Sequence, residues 1–365
     1  MTNLTPKSIV IFVKNLTSGG AEKQSVILAH VLARKHHVHY VIFNGNKVHG
    51  KYLAYLDSNP DICVHILNGR FFRRIIHFYY ILRTESIDFI FSYLTMANLI
   101  AAFMGNLTKI KVYSSLRNAH LPWPKMFADC LVCNVLADGT ISNSFSGKQY
   151  FSTKGFNKKK IIVIPNCFEN ISPYTPKNSQ NTVRIITVGR FVAQKDYLTA
   201  IKAIAEVRKR SSNFVFVIVG YGELEEKIRI WVKEHGIADC TEIHINPDNI
   251  SLLEDAADIY LSTSLFEGVS NSIMEGMNAN LPIVCTDVGD NSHLVENGLN
   301  GYLCQVKDSH AIAEALFSLV CDIGKRDDFG RKSKQILSEK YNVESFYKKY
   351  SALLNEISYE SEYTR

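Results

Sequence analysis

The chain repeats one pattern twice: short runs of β-branched and aromatic residues alternate with longer amphipathic stretches. Such alternation is typical of parallel α/β units, in which a helix connects neighbouring strands. A polar segment rich in Pro, Asn and Ser, residues 171–181, separates the two series. The length of 365 residues also exceeds what one core of ordinary size needs. We therefore expect two α/β domains, each a Rossmann-like, doubly wound parallel sheet.

The domain boundaries follow from this pattern. We expect a first domain over residues 1–170, a linker over residues 171–181 and a second domain over residues 182–345. Residues 346–365 are expected to form a C-terminal helix and tail that can return to the first domain. The strands predicted in the first domain are Ile9–Val13, Val38–Phe43, Ile62–Ile66, Phe89–Ser92, Lys111–Ser114, Gly139–Ser142 and Ile161–Ile164. Those predicted in the second are Arg184–Val188, Phe214–Val219, Glu242–Ile245, Ile259–Ser262 and Ile283–Thr286.

Charge is distributed unevenly between the two halves. Residues 1–170 contain 20 Lys and Arg against 8 Asp and Glu, a net charge of +12, whereas residues 171–365 contain 21 against 27, a net charge of −6. A basic half suits nucleic acid, an anionic membrane surface or a phosphorylated small molecule. The segment Arg70–Tyr80 mixes arginines with aromatic residues, as helices at a membrane interface do. An amphipathic core helix with a solvated basic face is the alternative.

Hydropathy and cysteine usage indicate the compartment. No apolar run approaches the roughly 18 residues of a membrane-spanning helix, and Ile9–Val13 fits a first strand better than a secretory signal. The eight cysteines are therefore expected to be buried thiols in a reducing cytosol. Cys130 and Cys133 form a single CxxC without a second pair, which favours core packing over a zinc or redox site.

Glycine turns follow several predicted strands. Gly19 and Gly20 come after the first strand and lead directly into a helix. Paired glycines allow close backbone approach, and the amides of a first helical turn favour an anion, although a purely structural turn is the alternative. Gly220 and Gly222 follow a strand of the second half, but Glu225 stands where a dinucleotide fingerprint needs its third glycine. A nicotinamide site is therefore not expected there.

Two further segments carry charges beside glycines. Arg190 and Lys195 follow Gly189 at the end of a predicted strand, where they can converge on a diphosphate or remain two solvated surface charges. Glu267 lies in a glycine turn, and Glu275 lies on the helix that this turn opens. A carboxylate on a helix can accept two hydrogen bonds from a cis-diol such as ribose. Ser270, Asn271 and Ser272 can supply cap groups and amides for an anion.

These segments together resemble the retaining glycosyltransferases of family 4, which have the GT-B fold of two Rossmann-like domains facing across a cleft. The strongest element is the E-x7-E pattern of Glu267 and Glu275. The resemblance runs from Ser18 to about Leu319, and the subset most similar makes bacterial surface polysaccharides such as O-antigen and capsule. The supporting segments are Gly19–Glu22, Ile164–Asn166, Gly189–Arg190 with Lys195, Ala257–Ile259, Leu281–Val284, Asp287–Gly289 and Gly298–Gly301.

The resemblance implies a nucleotide-sugar donor held mainly by the second domain. Arg190 and Lys195 would neutralise the diphosphate, Glu275 would bind the ribose, and Glu267 would lie beside the donor sugar. It implies Glu267, Arg190 and Lys195 as catalytic residues. The donor-binding residues implied are Gly19, Gly20, Gly189, Gly268, Val269, Ser270, Asn271 and Glu275. No metal or other cofactor is implied, because fixed cations stabilise the leaving diphosphate.

The chain departs from the family pattern in the first domain. Many relatives carry a histidine near the sugar, whereas the corresponding stretch Phe91–Asn98 has none. His120 is a candidate substitute, with a plain loop histidine as the alternative. The acceptor-side candidates are Tyr93, Asn98, Arg117 and His120.

The sequence thus predicts a retaining hexosyltransferase at the cytoplasmic face of the membrane. It would move a hexose or N-acetylhexosamine, from a UDP-sugar by preference, to a polyprenyl-diphosphate-linked glycan, while the basic domain rests on anionic lipid. A nucleotide-sugar epimerase is one alternative, and a nucleic-acid-binding protein or a non-catalytic transferase subunit are others. The E-x7-E spacing argues against the epimerase, and the lack of a known binding motif argues against nucleic acid.

Overall fold

The computed structural model describes residues 5–17, 19–117, 121–177 and 182–355. The chain divides into two compact units. The first unit runs to Glu169 and takes up the chain again from Val343, and the second unit is Asn170–Asn342. Each is an α/β unit with one parallel sheet.

The sheet of the first unit has seven parallel strands in the order β3-β2-β1-β4-β5-β6-β7. The strand order reverses between β1 and β4, the position where doubly wound sheets bind ligands at their carboxyl ends. All seven strands predicted for this half are present. They are β1 (Ser8–Val13), β2 (His37–Ile42), β3 (Ile62–Ile66), β4 (Phe89–Tyr93), β5 (Lys111–Leu116), β6 (Gly139–Ser142) and β7 (Ile161–Val163).

Helices cover both faces of this sheet because successive side chains of a buried strand point to opposite sides. Ile9 and Ile11 of β1 pack in a cluster with Leu28 and Tyr350 on one face. On the other face, Phe12 stacks on Phe78 with ring centroids 4.3 Å apart. The helices are α1 (Gly20–Ala33), α2 (Gly50–Asp57), α3 (Phe71–Thr84), α4 (Thr95–Thr108), α5 (Trp123–Leu131), α6 (Phe145–Thr153) and, from the C-terminal segment, α14 (Val343–Leu354).

The sheet of the second unit has six parallel strands in the order β10-β9-β8-β11-β12-β13. The strands are β8 (Val183–Val188), β9 (Phe214–Gly220), β10 (Thr241–Ile245), β11 (Ile259–Ser262), β12 (Ile283–Thr286) and β13 (Gly301–Cys304). The helices are α7 (Tyr197–Arg208), α8 (Glu225–Glu234), α9 (Ile250–Asp255), α10 (Asn271–Asn278), α11 (Asn291–Leu294), α12 (Ser309–Cys321) and α13 (Ile323–Lys340). The sequence did not predict β13, which is only four residues long and begins at a glycine. A Cβ at Gly301 would lie 2.0 Å from the carbonyl oxygen of Ile283, so this edge strand requires glycine to approach β12.

The described part of the predicted linker hydrogen-bonds to the second unit. The Ser172 amide donates to Asn278 Oδ1 over 3.0 Å, and Lys177 Nζ donates to the carbonyl oxygen of Asp255 over 2.6 Å. The linker is thus attached to this unit up to Lys177.

The burial of the cysteines and the length of the helices can be compared with the sequence-based expectations. All eight cysteines are free thiols, but Cys63 and Cys321 are exposed, so the expectation of burial is wrong for these two. Cys133 is buried in an apolar cluster with Leu116 and Phe151, as core packing requires. Among the described residues, none of the helices combines the length and apolar character needed to span a bilayer.

Candidate active site

An ion pair lies between the loops that follow β8 and β11 in the second unit. Lys195 Nζ is 2.7 Å from Glu267 Oε1, and the Ser264 hydroxyl donates to the same oxygen over 2.8 Å. The two charged side chains are only 17% and 12% exposed. Removal from water strengthens the attraction between the charges and makes either charge costly on its own. The sequence placed both residues in the site but did not predict their contact, nor the role of Ser264.

Hydrogen bonds from one backbone amide and two side chains join these two loops. The Leu265 amide donates to the carbonyl oxygen of Gln194 over 2.8 Å, and Gln194 Nε2 donates to the carbonyl oxygen of Phe266 over 2.8 Å. The Thr263 hydroxyl donates to the carbonyl oxygen of Lys195 over 2.9 Å. The ammonium and carboxylate are therefore carried by one hydrogen-bonded loop pair, and sequence reasoning missed the part played by Gln194.

The glycine at the end of β8 allows the Lys195 side chain to lie close to the backbone. A Cβ at Gly189 would lie 3.2 Å from Lys195 Cε and 3.3 Å from the Tyr197 hydroxyl, which donates to the Gly189 carbonyl oxygen. Arg190 differs from Lys195 because its side chain is exposed and forms no ion pair with a described residue. The loop thus holds one compensated cation and one cation available to a ligand.

The glycine turn after β11 leads into α10 as predicted. Ser270 is buried and caps the helix, its hydroxyl accepting from the Ile273 amide over 3.4 Å. The loop after β12 packs on this turn, because the Asp290 amide donates to the Gly268 carbonyl oxygen over 3.0 Å. A Cβ at Gly289 would lie 2.3 Å from the Glu267 carbonyl oxygen, so glycine is required for this approach. Three loops therefore converge around Glu267.

Glu275 lies in the second turn of α10 and is half-buried. Its neighbour Gly276 faces Tyr260 of β11, where an added Cβ would lie 2.5 Å from Tyr260 Cδ2. Burial, with a smaller contribution from Glu254 and Glu275, raises the pKa of Tyr260 well above its ordinary value. Close packing of α10 on the sheet thus fixes where Glu275 lies. Val269 is buried, and Gly268 and Asn271 are half-buried at the start of the same helix.

In the first unit, the Glu22 carboxylate of α1 lies against the Gly19–Gly20 turn. Gly19 is the N-cap residue of α1, and a Cβ there would lie 2.4 Å from Glu22 Oε2. The Thr17 hydroxyl donates to Glu22 Oε1 over 2.8 Å. An anion at the helix N-terminus is favourable, and Glu22 supplies one. A phosphate bound at Gly19 and Gly20 would have to displace this side chain, so their donor role stays a prediction.

Arg117, which follows β5 at the carboxyl edge of the first sheet, is a half-buried cation. Its Nη1 donates to Asn166 Oδ1 over 3.0 Å, and its guanidinium lies 4.8 Å from the ring centroid of Tyr93. Its Nε and Nη2 are buried without a hydrogen-bond partner among the described residues. Tyr93 itself is 2% exposed, so its acceptor-side role stays a prediction.

The remaining acceptor-side candidates are Asn98 and His120. Asn98 is 1% exposed, and its amide binds Ser92, Ser115 and Asp129. Because those hydrogen bonds join β4, β5 and α5, the arrangement makes Asn98 a structural residue and removes it from the surface. His120 lies outside the described residues.

The chain has two doubly wound parallel sheets in tandem. This is the architecture of proteins with the GT-B fold. HepE from Anabaena, solved in complex with UDP, has a TM-score of 0.83 and 18% identity, covering 96% of this chain and all of that one. The lipopolysaccharide outer core galactosyltransferase WaaB has a TM-score of 0.77 and 17% identity, covering 96% and 99%. At these identities the likeness establishes the fold, and the predicted α/β GT-B fold class is confirmed.

Within this class, residues 171–336 match the family model described as Glycosyl transferases group 1. This match spans most of the second unit, Asn170–Asn342. The amylovoran biosynthesis glycosyltransferase AmsK of Erwinia amylovora is 30% identical over 38% of this chain and 36% of its own length. The GtfA subunit of a UDP-N-acetylglucosamine–peptide N-acetylglucosaminyltransferase of Streptococcus gordonii is 25% identical over 50% and 37%. The chain thus aligns with little more than a third of these two relatives.

A third relative aligns over nearly its whole length. It is a Campylobacter jejuni α-1,4-N-acetyl-D-galactosaminyltransferase, named for an acceptor in which GalNAc and diNAcBac residues are carried on PP-undecaprenol. It is 24% identical over 90% of this chain and 92% of its own length. Both units of the chain therefore have counterparts in one curated protein.

Proposed function

We propose that the protein is a retaining glycosyltransferase that acts in bacterial O-antigen or capsule synthesis. It moves a hexose or N-acetylhexosamine from a nucleotide sugar, with a UDP-sugar favoured. The acceptor is an oligosaccharide linked to polyprenyl diphosphate. The observation that carries the proposal is the Lys195–Glu267 pair, with the unpaired Arg190 beside it, in a glycosyl transferases group 1 domain. The names of the Campylobacter and Erwinia relatives support the acceptor class and the pathway. Retention of configuration is proposed from the resemblance to family 4.

The charges of the second unit suit departure of a nucleoside diphosphate. When the bond from the anomeric carbon to the diphosphate breaks, negative charge grows on phosphate oxygens and the sugar becomes oxocarbenium-like. Arg190 and Lys195 supply fixed cations for that charge, and such preorganised electrostatic stabilisation is the largest contribution in many enzymes. Glu267 lies beside Lys195, where its carboxylate faces the donor sugar in this proposal. Glu275 accepts hydrogen bonds from the ribose hydroxyls, and no metal ion is needed for charge neutralisation.

The first unit suits a lipid-linked acceptor. Helices α3, α4 and α5 pack as neighbours on one side of its sheet and carry large apolar side chains that remain exposed. We call this surface the apolar helix face. Its members are Phe71, Phe72, Ile76, Tyr80, Phe103, Leu107, Trp123, Phe127 and Leu131. Contiguous exposed apolar side chains indicate an interaction surface, whereas scattered ones are ordinary.

Basic side chains border the apolar helix face. Arg70, Arg73, Lys109 and Lys125 are exposed on or beside the same three helices, within the half of the chain that has a net charge of +12. Aromatic side chains enter the headgroup region while Lys and Arg attract anionic lipid. We therefore propose that this face rests on the anionic inner face of the cytoplasmic membrane, as a peripheral attachment. Arg117, at the carboxyl end of the sheet, would then meet the acceptor diphosphate.

Transfer assays test the catalytic part of the proposal. Purified protein is first screened by thermal shift against UDP, GDP and ADP, because a ligand that binds the native state stabilises it by mass action. The stabilising nucleotide's sugars are then assayed with a polyprenyl-diphosphate glycan. Lys195→Ala and Glu267→Gln should abolish most transfer, while Lys202→Ala, on an exposed part of α7, should retain it. Full activity of Lys195→Ala would refute the assigned site, and turnover without acceptor would favour the epimerase.

Vesicle sedimentation tests the membrane part. The protein should bind vesicles that contain phosphatidylglycerol more strongly than neutral phosphatidylcholine vesicles, and added salt should weaken the binding. Phe72→Asp and Trp123→Asp should each reduce it. Tyr221→Asp replaces an exposed aromatic residue of the second unit and should leave binding unchanged. Equal loss in all three variants would contradict an attachment through the apolar helix face.

A further inference from the structure

Three side chains with metal-ligating atoms converge on the edge of the first sheet. His39 lies on β2, and Cys63 and His65 lie on the edge strand β3. His39 Nδ1 and His65 Nε2 are 3.1 Å apart, and one ligand atom from each of the three residues lies within 4.8 Å of the others. Sequence reasoning missed this group, because Cys63 and His65 follow His39 by 24 and 26 positions and meet it only through strand pairing.

Strand register explains why these side chains meet. His39 pairs directly with Cys63, and Val41 pairs with His65, in the parallel ladder between β2 and β3. Because side chains alternate along a strand, Cys63 and His65 point to the same face as His39. The edge position leaves Cys63 exposed, whereas His39 is buried. The group is therefore open to solvent on one side and fixed by the sheet on the other.

The geometry is close to that of a tetrahedral site. Metal distances of about 2.0–2.1 Å to nitrogen and about 2.3 Å to sulfur separate neighbouring ligands by roughly 3.3–3.8 Å. The two imidazole nitrogens are 3.1 Å apart, and the Cys63 sulfur lies within 4.8 Å of a ligand nitrogen of each histidine.

We propose that His39, Cys63 and His65 bind one Zn²⁺ ion, with a water molecule as the fourth ligand. Two imidazoles and a thiolate form a donor set that suits zinc. Binding forms one metal–sulfur and two metal–nitrogen bonds and releases the Cys63 thiol proton. Each neutral imidazole keeps its single N–H on the nitrogen that does not bind the metal. The ion would join the edge strand β3 to β2.

The zinc site is separate from the proposed transferase site. His39, Cys63 and His65 lie on β2 and on the edge strand β3, whereas Gly19 follows β1 and Arg117 follows β5. The proposal therefore assigns the ion a structural role in the first unit and does not depend on the proposed function. Loss of zinc would destabilise the edge of the sheet without removing a group that contacts donor or acceptor.

Metal titration of the full-length chain tests the proposal. Chelator-treated protein is titrated with Zn²⁺ against a chromophoric competitor, and bound metal is counted after dialysis. We expect one tightly bound ion per chain in the wild type, and at least a tenfold loss of affinity in Cys63→Ser and in His65→Gln. Cys321→Ser removes the other exposed cysteine, in the second unit, and should keep wild-type affinity. Equal affinity in wild type and Cys63→Ser would overturn the proposal.

Two further measurements distinguish the site from adventitious binding. Co²⁺ in place of zinc should show a thiolate-to-metal charge-transfer band that Cys63→Ser lacks and Cys321→Ser retains. Zn²⁺ should also slow amide exchange in residues 62–66 of the wild type but not of His65→Gln. Variants are compared after circular dichroism shows that each is folded without metal. A cobalt spectrum without the thiolate band, or unchanged exchange in β3, would refute the assignment.

Discussion

Both units have a parallel sheet with a cation near its carboxyl edge, but Lys195 of the second unit is compensated by a carboxylate and Arg117 of the first unit is not. In the second unit, Lys195 is paired with Glu267, and hydrogen bonds tie the surrounding loops together. In the first unit, Arg117 forms no ion pair with a described residue and leaves two guanidinium nitrogens without partners. In the proposed function, the preorganised loop pair binds the donor, and the uncompensated Arg117 binds the anionic acceptor.

The largest expected effect is at the paired cation of the second unit. Lys195→Ala should lower kcat/KM for transfer about 10²–10³-fold, the cost of removing one preorganised donor from a developing oxyanion. Steady-state kinetics with the identified nucleotide sugar measure it. If Lys195 acts only by orienting Glu267, the double variant with Glu267→Gln will be no worse than the Glu267 variant alone. A further loss in the double variant identifies a direct role on the diphosphate.

A smaller effect is expected at the unpaired cation of the first unit. Arg117→Ala should lower kcat/KM for the lipid-linked acceptor about tenfold to a hundredfold, because a charge-assisted hydrogen bond contributes about 1.5–3 kcal/mol. The Kd for the donor nucleotide should not change, which isothermal titration can check. Lys51→Ala, an exposed cation on α2, is the matched control. Weaker nucleotide binding in Arg117→Ala would contradict the proposal that the second unit binds the donor and the first unit the acceptor.

A stability difference is expected at two helix glycines. Gly276→Ala should lower the free energy of unfolding by about 1–3 kcal/mol, because its Cβ would overlap Tyr260 and force α10 from the sheet. Gly50→Ala, at the start of α2 in the first unit, meets no atom within 4 Å and should change stability by less than about 0.5 kcal/mol. Denaturant unfolding compares them. Similar values for both would show that α10 can move, and with it Glu275.

The smallest expected effect is a pH dependence of stability in the first unit. Burial lowers the pKa of His36 in the folded state, and Lys35, His37 and Lys7 add to this. As the pH falls below about 6.5, the unfolded state takes up more protons than the folded state, so stability falls until the folded His36 also titrates. His36→Gln should reduce this dependence. Hydrogen exchange at pH 7.5 and pH 5.5 should show earlier loosening of β1 and β2 than of β8, and the reverse order would contradict the prediction.

Most strands could be predicted from the sequence because buried parallel strands are short apolar runs between turn residues. The weaker signal of β13 was missed, because this strand begins at a glycine and is only four residues long. Spacing marked Lys195 and Glu267 as site residues. It could not show that they form an ion pair, or that Asn98 belongs to a buried hydrogen-bond network, since those contacts join distant segments.

The sequence by itself determined the repetition of two α/β units, the charge difference between them, and the glutamate pair that identifies the second. These features are local, because periodicity, composition and short motifs depend on neighbours along the chain. Only the tertiary structure decided which charges are compensated, which apolar side chains remain exposed on α3–α5, and that His39 meets Cys63 and His65. The physical reason is that strand register and loop packing bring together residues far apart in sequence, and burial then fixes the cost of leaving each charge unpaired.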